Sequence, residues 1–334
     1  MDESTRLKYV CIVKIYHNTI AEHDEARERE NSVQLAESGV QHHMNQPVKG
    51  QAGALTGAEA AVEMLKVHGV EILFGLCGDT SLPFYDALAR LSHGMRHVLT
   101  RDERSAAYMA DGYARVSGKV GVCEGPSGGG VTYILPGLAE ANESSVPVLC
   151  INSDISVAAR GRYTLTELDQ GALMRPVTKW NAVLNRAQDI PRIFRAAFNQ
   201  MTTGRPGAAH IGLPFDVQNG SVERADLHGD ASLGRYPARR AAPDAYFVER
   251  AAQLLADTAQ PVFICGGGVI IANAETELLQ LAERLSATVA TTISGKGSIS
   301  EEHPLAAGVV GSNGGTPETR ALVDRADLVV FIGC

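Results

Sequence analysis

From residue 56 to residue 213 the chain repeats one pattern. Short apolar runs alternate with longer segments that carry apolar side chains at helical spacing. The runs fall at 70–74, 97–100, 120–123, 147–152 and 208–213. The intervening helices are expected over 57–68, from Leu82-Pro83, and over 103–117, 131–143 and 191–201. Strands that alternate with helices in this way pair as a parallel sheet with helices on both faces, so the fold class is α/β. The clearest helix start is Thr56-Gly57-Ala58-Glu59, where the threonine hydroxyl and the glutamate carboxylate can each serve the other's backbone amide. Gly69 and Gly118 mark helix ends.

A second alternating stretch begins at Asp244, with helices over 246–255, 274–285 and 317–325 and strands over 262–265, 288–292 and 326–332. It reads as an incomplete Rossmann-like α/β domain over 244–334. At roughly 150 residues per domain, 334 residues accommodate two such units. Residues 216–243 carry Gly220, Gly229, Gly234, Pro237 and Pro243 with no periodicity, and read as a linker between the first domain (51–215) and the second. Residues 1–50 hold a short apolar patch at 9–16 and a charge cluster at 24–30. They read as a loosely ordered extension with one helix through the charges. At the other end, Val329-Val330-Phe331-Ile332-Gly333-Cys334 reads as a core strand entering a turn, which suggests a domain cut short.

Charge and cysteine usage narrow the function classes. With 30 basic and 38 acidic residues the net charge is −8, which gives no general field for nucleic acid or an anionic membrane. No apolar run approaches the roughly 20 residues of a membrane span. The six cysteines are scattered without a C-x-x-C pair, which points to a reducing, cytoplasmic compartment. No zinc-binding spacing occurs, and His42-His43 reads as a solvated pair.

Ligands of parallel sheets sit at the carboxyl ends of the strands. Three loops qualify: 75–79, 100–103 and 124–130. The last contains Ser127-Gly128-Gly129-Gly130, which lets a ligand approach the main chain and the amides of the following helix. The same composition also suits a plain strand–helix turn. Glu103 stands where a strand ends and a helix begins. Shielding from water there would favour a proton-sharing role, whereas the simpler use of an acid in a first helical turn is to complement the helix dipole.

The run from Thr56 to Pro214 resembles the N-terminal, pyrimidine-binding domain of thiamine-diphosphate enzymes of the acetolactate synthase-like family. The matching stretches are 74–88, Arg101-Asp102-Glu103-Arg104-Ser105-Ala106-Ala107, Ala110-Asp111-Gly112-Tyr113-Ala114-Arg115, Arg175-Pro176-Val177-Thr178-Lys179 and Gly204-Arg205-Pro206-Gly207. The second unit is similar to the family's central domain through Cys265-Gly266-Gly267-Gly268 and Gly295-Lys296-Gly297.

The resemblance implies a thiamine-diphosphate fold and a decarboxylase or carboligase acting on a 2-oxo acid. It makes Glu103 the acid that hydrogen-bonds the aminopyrimidine ring of the cofactor. Gly78, Ser127, Gly128, Gly129 and Gly130 then line the pyrimidine pocket. It also raises FAD, because Arg205 and Gly266-Gly267-Gly268 fall where flavin-binding relatives contact it, although Ile271 breaks the dinucleotide fingerprint. The family's Mg²⁺ and diphosphate are held by a Gly-Asp-Gly segment, and none occurs here. The resemblance therefore implies half a cofactor site. Its completion would come from a homo-oligomer or from a chain that supplies the diphosphate-binding domain.

Several positions depart from acetolactate synthases. Ser153-Asp154 stands for Gly-Gln, Leu165-Thr166-Glu167 for Phe-Gln-Glu, Gly128-Gly129-Gly130 for Gly-Pro-Gly, and Tyr133 for asparagine. Two other readings compete with the enzyme half-site. One is a non-catalytic partner or regulatory fragment. The other is a serine hydrolase built on Gly125-Pro126-Ser127-Gly128-Gly129, with Asp154 or Asp169 and His210 or His303 completing a triad.

Overall fold

The computed structural model describes residues 53–311 and 314–334, together with the backbone of residues 8–12. That backbone forms β1 (Lys8–Ile12), which belongs to the second of two parallel sheets. The first unit opens with β2 (Ala54–Thr56) and α1 (Gly57–Val67). The Thr56–Glu59 box is formed as the sequence requires: Glu59 N donates to Thr56 Oγ1 at 3.2 Å, and Thr56 N donates to Glu59 Oε2 at 2.9 Å. There follow β3 (Ile72–Gly75), α2 (Leu82–Arg90), β4 (Arg96–Leu99), α3 (Glu103–Ser117), β5 (Gly121–Gly125), α4 (Gly129–Glu143) and β6 (Val148–Asp154). The unit continues with α5 (Gln170–Met174), β7 (Trp180–Val183), α6 (Ile190–Thr202), β8 (Ala209–Pro214), α7 (Phe215–Asn219) and β9 (Ser221–Glu223).

The main sheet has the order β4-β3-β5-β6-β8-β7, and every neighbouring pair is parallel. Strand alternation sends Leu73, Val122, Leu149 and Ile211 to one face, where they meet Met64, Leu65, Phe84, Phe194 and Phe198 of α1, α2 and α6. Phe74, Cys123 and Cys150 point to the other face, against α3 and α4. Each large apolar side chain buried this way contributes about 1.5–3 kcal/mol. The α3 face is made of Ala106, Ala107, Ala110 and Ala114, and α4 lies close upon it. A Cβ on Gly137 would stand 2.5 Å from that of Ala107, so only glycine permits this approach.

The order of the strands creates the crevice. The chain leaves β3 toward α2 on one face of the sheet and leaves its neighbour β5 toward α4 on the other. The two loops therefore part at the carboxyl ends of adjacent strands, which is where such sheets bind ligands.

The second unit contains α8 (Ala245–Ala256), β10 (Pro261–Cys265), α9 (Gly267–Ala272), α10 (Glu275–Leu285), β11 (Thr288–Thr291), β12 (Ala306–Val309), α11 (Pro317–Asp324) and β13 (Leu328–Ile332). Its sheet runs β1-β13-β10-β11-β12, all parallel. Phe263, Val289, Leu328 and Val330 form its core with Val269, Leu278 and Ala282.

Three expectations need correction. Residues 8–12, assigned to a loose extension, pair with β13 from Lys8 opposite Leu328 to Ile12 opposite Ile332. The expected helix through the charge cluster lies outside the described residues. Residues 216–243 are not a free linker: β9 pairs with β2, and Val217, Gln218, Val222, Leu233 and Gly234 are buried. Finally, β7, α9 and β12 were not anticipated. β7 is an edge strand of mixed polarity, α9 starts inside a glycine run, and β12 is interrupted by Gly308, so none shows a clean period.

Candidate active site

The crevice is closed by glycines whose missing side chains let three loops touch. A Cβ on Gly78 would stand 2.5 Å from Pro126 Cβ, so the β3 loop lies directly on the β5 loop. Gly128 adopts φ +72°, and a Cβ there would meet Thr166 Cβ at 2.8 Å. Gly130 faces Pro126 Cδ and Glu103 Oε1, at 2.7 and 3.0 Å from its would-be Cβ. α4 begins at Gly129 with no side-chain cap, which leaves its first-turn amides without a side-chain acceptor.

Glu103 enters from the third loop. Asp102 caps α3 by accepting from Ser105 N at 2.8 Å and from Ser105 Oγ at 3.0 Å, and this fixes Glu103 as the first helical residue. The Glu103 side chain is buried at 7% exposure, and its Cγ lies 3.1 Å from the would-be Cβ of Gly125. Gly78, Glu103, Ser127, Gly128 and Gly130 thus share one site, with Gly129 at its rim facing Tyr133.

A chain of hydroxyls holds the loops in register. Thr80 Oγ1 accepts from Ser127 N at 3.1 Å, bonds Ser127 Oγ at 3.1 Å and meets Ser153 Oγ at 2.9 Å. Ser127 Oγ also meets Thr166 Oγ1 at 2.7 Å. Gln218 anchors the set from behind: its Nε2 donates to Thr80 O and Leu213 O, and its Oε1 accepts from Phe84 N. Gln218 lies in the stretch read as a linker, and no sequence signal marks it. Asp154, Arg160, Glu167 and Gln170 line a neighbouring cavity of about 230 Å³. Two of the substituted segments, Ser153-Asp154 and Leu165-Thr166-Glu167, therefore meet beside the crevice.

Sequence reasoning also missed Glu124, the penultimate residue of β5. It is fully buried, and neither oxygen has a well-formed hydrogen bond. Burial pushes its carboxyl up to about 8, opposed by the nearby Tyr85 and Ser81 hydroxyls and assisted by the charge of Glu103. The Tyr85 hydroxyl beside it is also without a well-formed partner, and burial raises its pKa as well.

The serine-hydrolase residues do not assemble. Ser127 Oγ bonds hydroxyls, and among the described residues no histidine shares a hydrogen bond with it. His210 is buried in β8 with neither ring nitrogen paired, its pKa driven down to about 3 by desolvation. His303 lies 3.4 Å from Glu283, Asp154 pairs with Arg160, and Asp169 caps α5. Arg205 donates to Ser145 Oγ and to the carbonyls of Asn142 and Glu143 at the end of α4. Gly266 and Gly268 pack on the backbone of Gly333, at 2.4 Å from its O and 2.7 Å from its Cα for their would-be Cβ atoms.

A parallel sheet with a buried acid among glycine-rich loops at the carboxyl ends of adjacent strands defines an α/β protein whose candidate site lies at those strand ends. Residues 55–173 match the N-terminal TPP binding domain of thiamine pyrophosphate enzymes, and residues 248–334 match the central domain of the same enzymes. The chain belongs to this family, and within it is acetolactate synthase-like. It is 42% identical over 282 residues to a probable acetolactate synthase large subunit of Methanocaldococcus jannaschii, covering 84% of this chain and 47% of the relative. It is 37% identical over 285 residues to an acetolactate synthase of Arthrospira platensis, covering 84% and 49%. A glyoxylate carboligase of Escherichia coli O157:H7 is 34% identical over 281 residues, covering 84% and 46%. The chain spans about half the length of the curated relatives it matches.

Proposed function

We propose that residues 1–334 carry the pyrimidine-binding half of a thiamine-diphosphate site in a 2-oxo acid decarboxylase or carboligase. The observation that carries this reading is the buried carboxyl of Glu103, set against the glycine-cleared crevice between the β3 and β5 loops. When bound, thiamine diphosphate supplies a carbon nucleophile and an electron sink for decarboxylation. Glu103 would hold a proton at the aminopyrimidine ring nitrogen, in a site too dry for water to compete. Gly78, Gly128 and Gly130 would let the three loops close together around the ring, and the Thr80–Ser127 hydroxyls would fix the walls of the pocket. Ser153, Asp154, Thr166 and Glu167 border the place where a second substrate would enter, and their departure from the acetolactate synthase pattern supports a different acceptor.

Among the described residues no cluster of acidic, histidine or cysteine side chains could hold a metal ion. We assign Mg²⁺ and the diphosphate to residues outside this stretch, in the same or a neighbouring subunit of an oligomer. FAD is not part of this proposal, because Gly266 and Gly268 are used in packing on Gly333 and Arg205 is engaged by α4.

The test is calorimetric titration of the chain with thiamine and, separately, with thiamine diphosphate plus Mg²⁺. A pyrimidine half-site binds the two within about threefold of each other (roughly 0.7 kcal/mol), and Glu103→Ala weakens both. A strong preference for the diphosphate, or binding indifferent to Glu103→Ala, would overturn the reading.

A further inference from the structure

We propose that the outer edge of β13 is a docking site for an extended parallel strand, and that β1 of the same chain is its resident occupant, closing the edge to other strands.

The second sheet has two sides, and the chain treats them differently. β12 ends one side. Its ladder with β11 shifts register between Val289 and Ala290, and Gly308 within it takes φ +86°, so the strand is a poor template for a further partner. On the other side β13 is Leu328-Val329-Val330-Phe331-Ile332, an apolar run without a proline, a charge or a break in its register with β10. The N–H and C=O groups of successive residues point alternately toward β10 and away from it, so a regular row faces outward. Such a row, on a strand whose Leu328, Val329 and Val330 are buried, is the kind of edge that recruits strands. The outer strands of the first sheet are less inviting: β4 carries Arg96, and β7 is of mixed polarity.

β1 fills the outward row of β13 residue for residue, from Lys8 opposite Leu328 to Ile12 opposite Ile332, without a break. It stands last in the sheet and pairs with no second strand. A parallel neighbour ordinarily arrives through a local crossover, often a single helix. β1 has no such connection to β13, because the whole first unit lies between them in the chain. What holds β1 is therefore the ladder itself: main-chain hydrogen bonds to an extended segment, the chemistry of strand addition. A site that reads main chain accepts a strand able to lie parallel on β13. Tethering favours β1, because a segment on the same chain outcompetes a free one at ordinary concentrations. The inference goes beyond the thiamine site, which lies on the first sheet, and stands or falls without it.

The experiment compares the full chain with its Tyr9→Pro, Val10→Pro double variant. Adjacent strand residues bond to opposite sides, so one of the two prolines removes a donor to β13 whichever residue faces it. A fluorescein-labelled peptide of residues 4–16, kept reduced, is titrated with each protein up to about 1 mM and followed by anisotropy. The double variant should bind the peptide saturably, and the parent should bind it at least about tenfold more weakly because its edge is filled. Amide exchange read by NMR on the parent is the second measurement and depends on no variant. The outward-facing alternate amides of β13 should exchange at least about tenfold more slowly than exposed amides. Equal peptide binding by parent and variant, or none by either, overturns the proposal, as does an outward row of β13 that exchanges like an exposed segment.

Discussion

A side-chain carbon on Gly130 would stand 3.0 Å from Glu103 Oε1. The buried acid and the second residue of α4 thus compete for the same space, and the crevice keeps its acid in place only because α4 starts on glycines. Gly130→Ala is expected to push the Glu103 carboxyl or Pro126 aside, at about 1–3 kcal/mol for overpacking. Thermal unfolding should fall by several degrees, and thiamine affinity should fall with it. Gly112→Ala is the control. It lies exposed within α3 with nothing within 4 Å of the added carbon, so it should gain roughly 0.5–1 kcal/mol. Equal effects of the two substitutions in calorimetric melts would show that the space around Glu103 is not as described.

Glu103→Gln keeps the shape of the acid and removes its proton exchange. In an assembly competent for turnover, the rate should fall by about 10²–10⁴, the usual worth of a positioned acid or base. Melting temperature should change little, because glutamine keeps the size and packing of the side chain. Steady-state turnover checks this, and a rate within a factor of a few of the parent would remove Glu103 from the chemistry.

How far this site was legible in the sequence depends on what each residue does locally. The Thr56–Glu59 box, the start of α3 at Glu103 and its end at Gly118 were readable because capping and left-handed glycine are decided within a few residues. Glu103 is marked in the sequence by its place between strand and helix, and the family resemblance gives it a partner. Gln218 and Glu124 were invisible for the opposite reason. Gln218 bonds Thr80 O across 138 positions, and Glu124 meets Tyr85 only when β3 and β5 are paired. β1 was missed likewise: an isolated run of five residues has no strand signal until β13 offers it an edge.

The hydroxyl chain gives a prediction about stability that is separate from catalysis. Thr80→Val removes the acceptor for Ser127 N and the partner of both Ser127 Oγ and Ser153 Oγ. Ser127 Oγ keeps Thr166 Oγ1, but leaving Ser127 N and Ser153 Oγ without Thr80 in a largely buried position costs about 1–3 kcal/mol. The midpoint of urea unfolding should drop accordingly with an unchanged slope. Thr80→Ser retains the oxygen and should recover most of the loss. If Thr80→Val and Thr80→Ser unfold alike, the methyl rather than the network sets the stability of the β3 loop.

Two buried groups set opposing pH slopes, and their signs can be separated by substitution. Glu124 has its pKa raised by burial to about 8, so the folded state holds a proton that the unfolded chain releases above its ordinary carboxylate range. Its contribution is fully present below that range and declines as pH rises toward 8, by roughly 5 kcal/mol over the interval. His210 has its pKa lowered by burial to about 3 from an ordinary 6.5. Its contribution is present above 6.5 and is lost as pH falls toward 3, by a similar order of magnitude. Between these limits the two slopes partly cancel. Glu124→Gln should therefore leave a stability that rises with pH from 4.5 to 6.5 and then levels, and His210→Asn should leave one that falls from about 4.5 to 8. Urea midpoints measured at half-unit pH intervals decide this. Parallel curves for the parent and Glu124→Gln would mean that the carboxyl is solvated or charged in the folded chain, contrary to its burial behind β5.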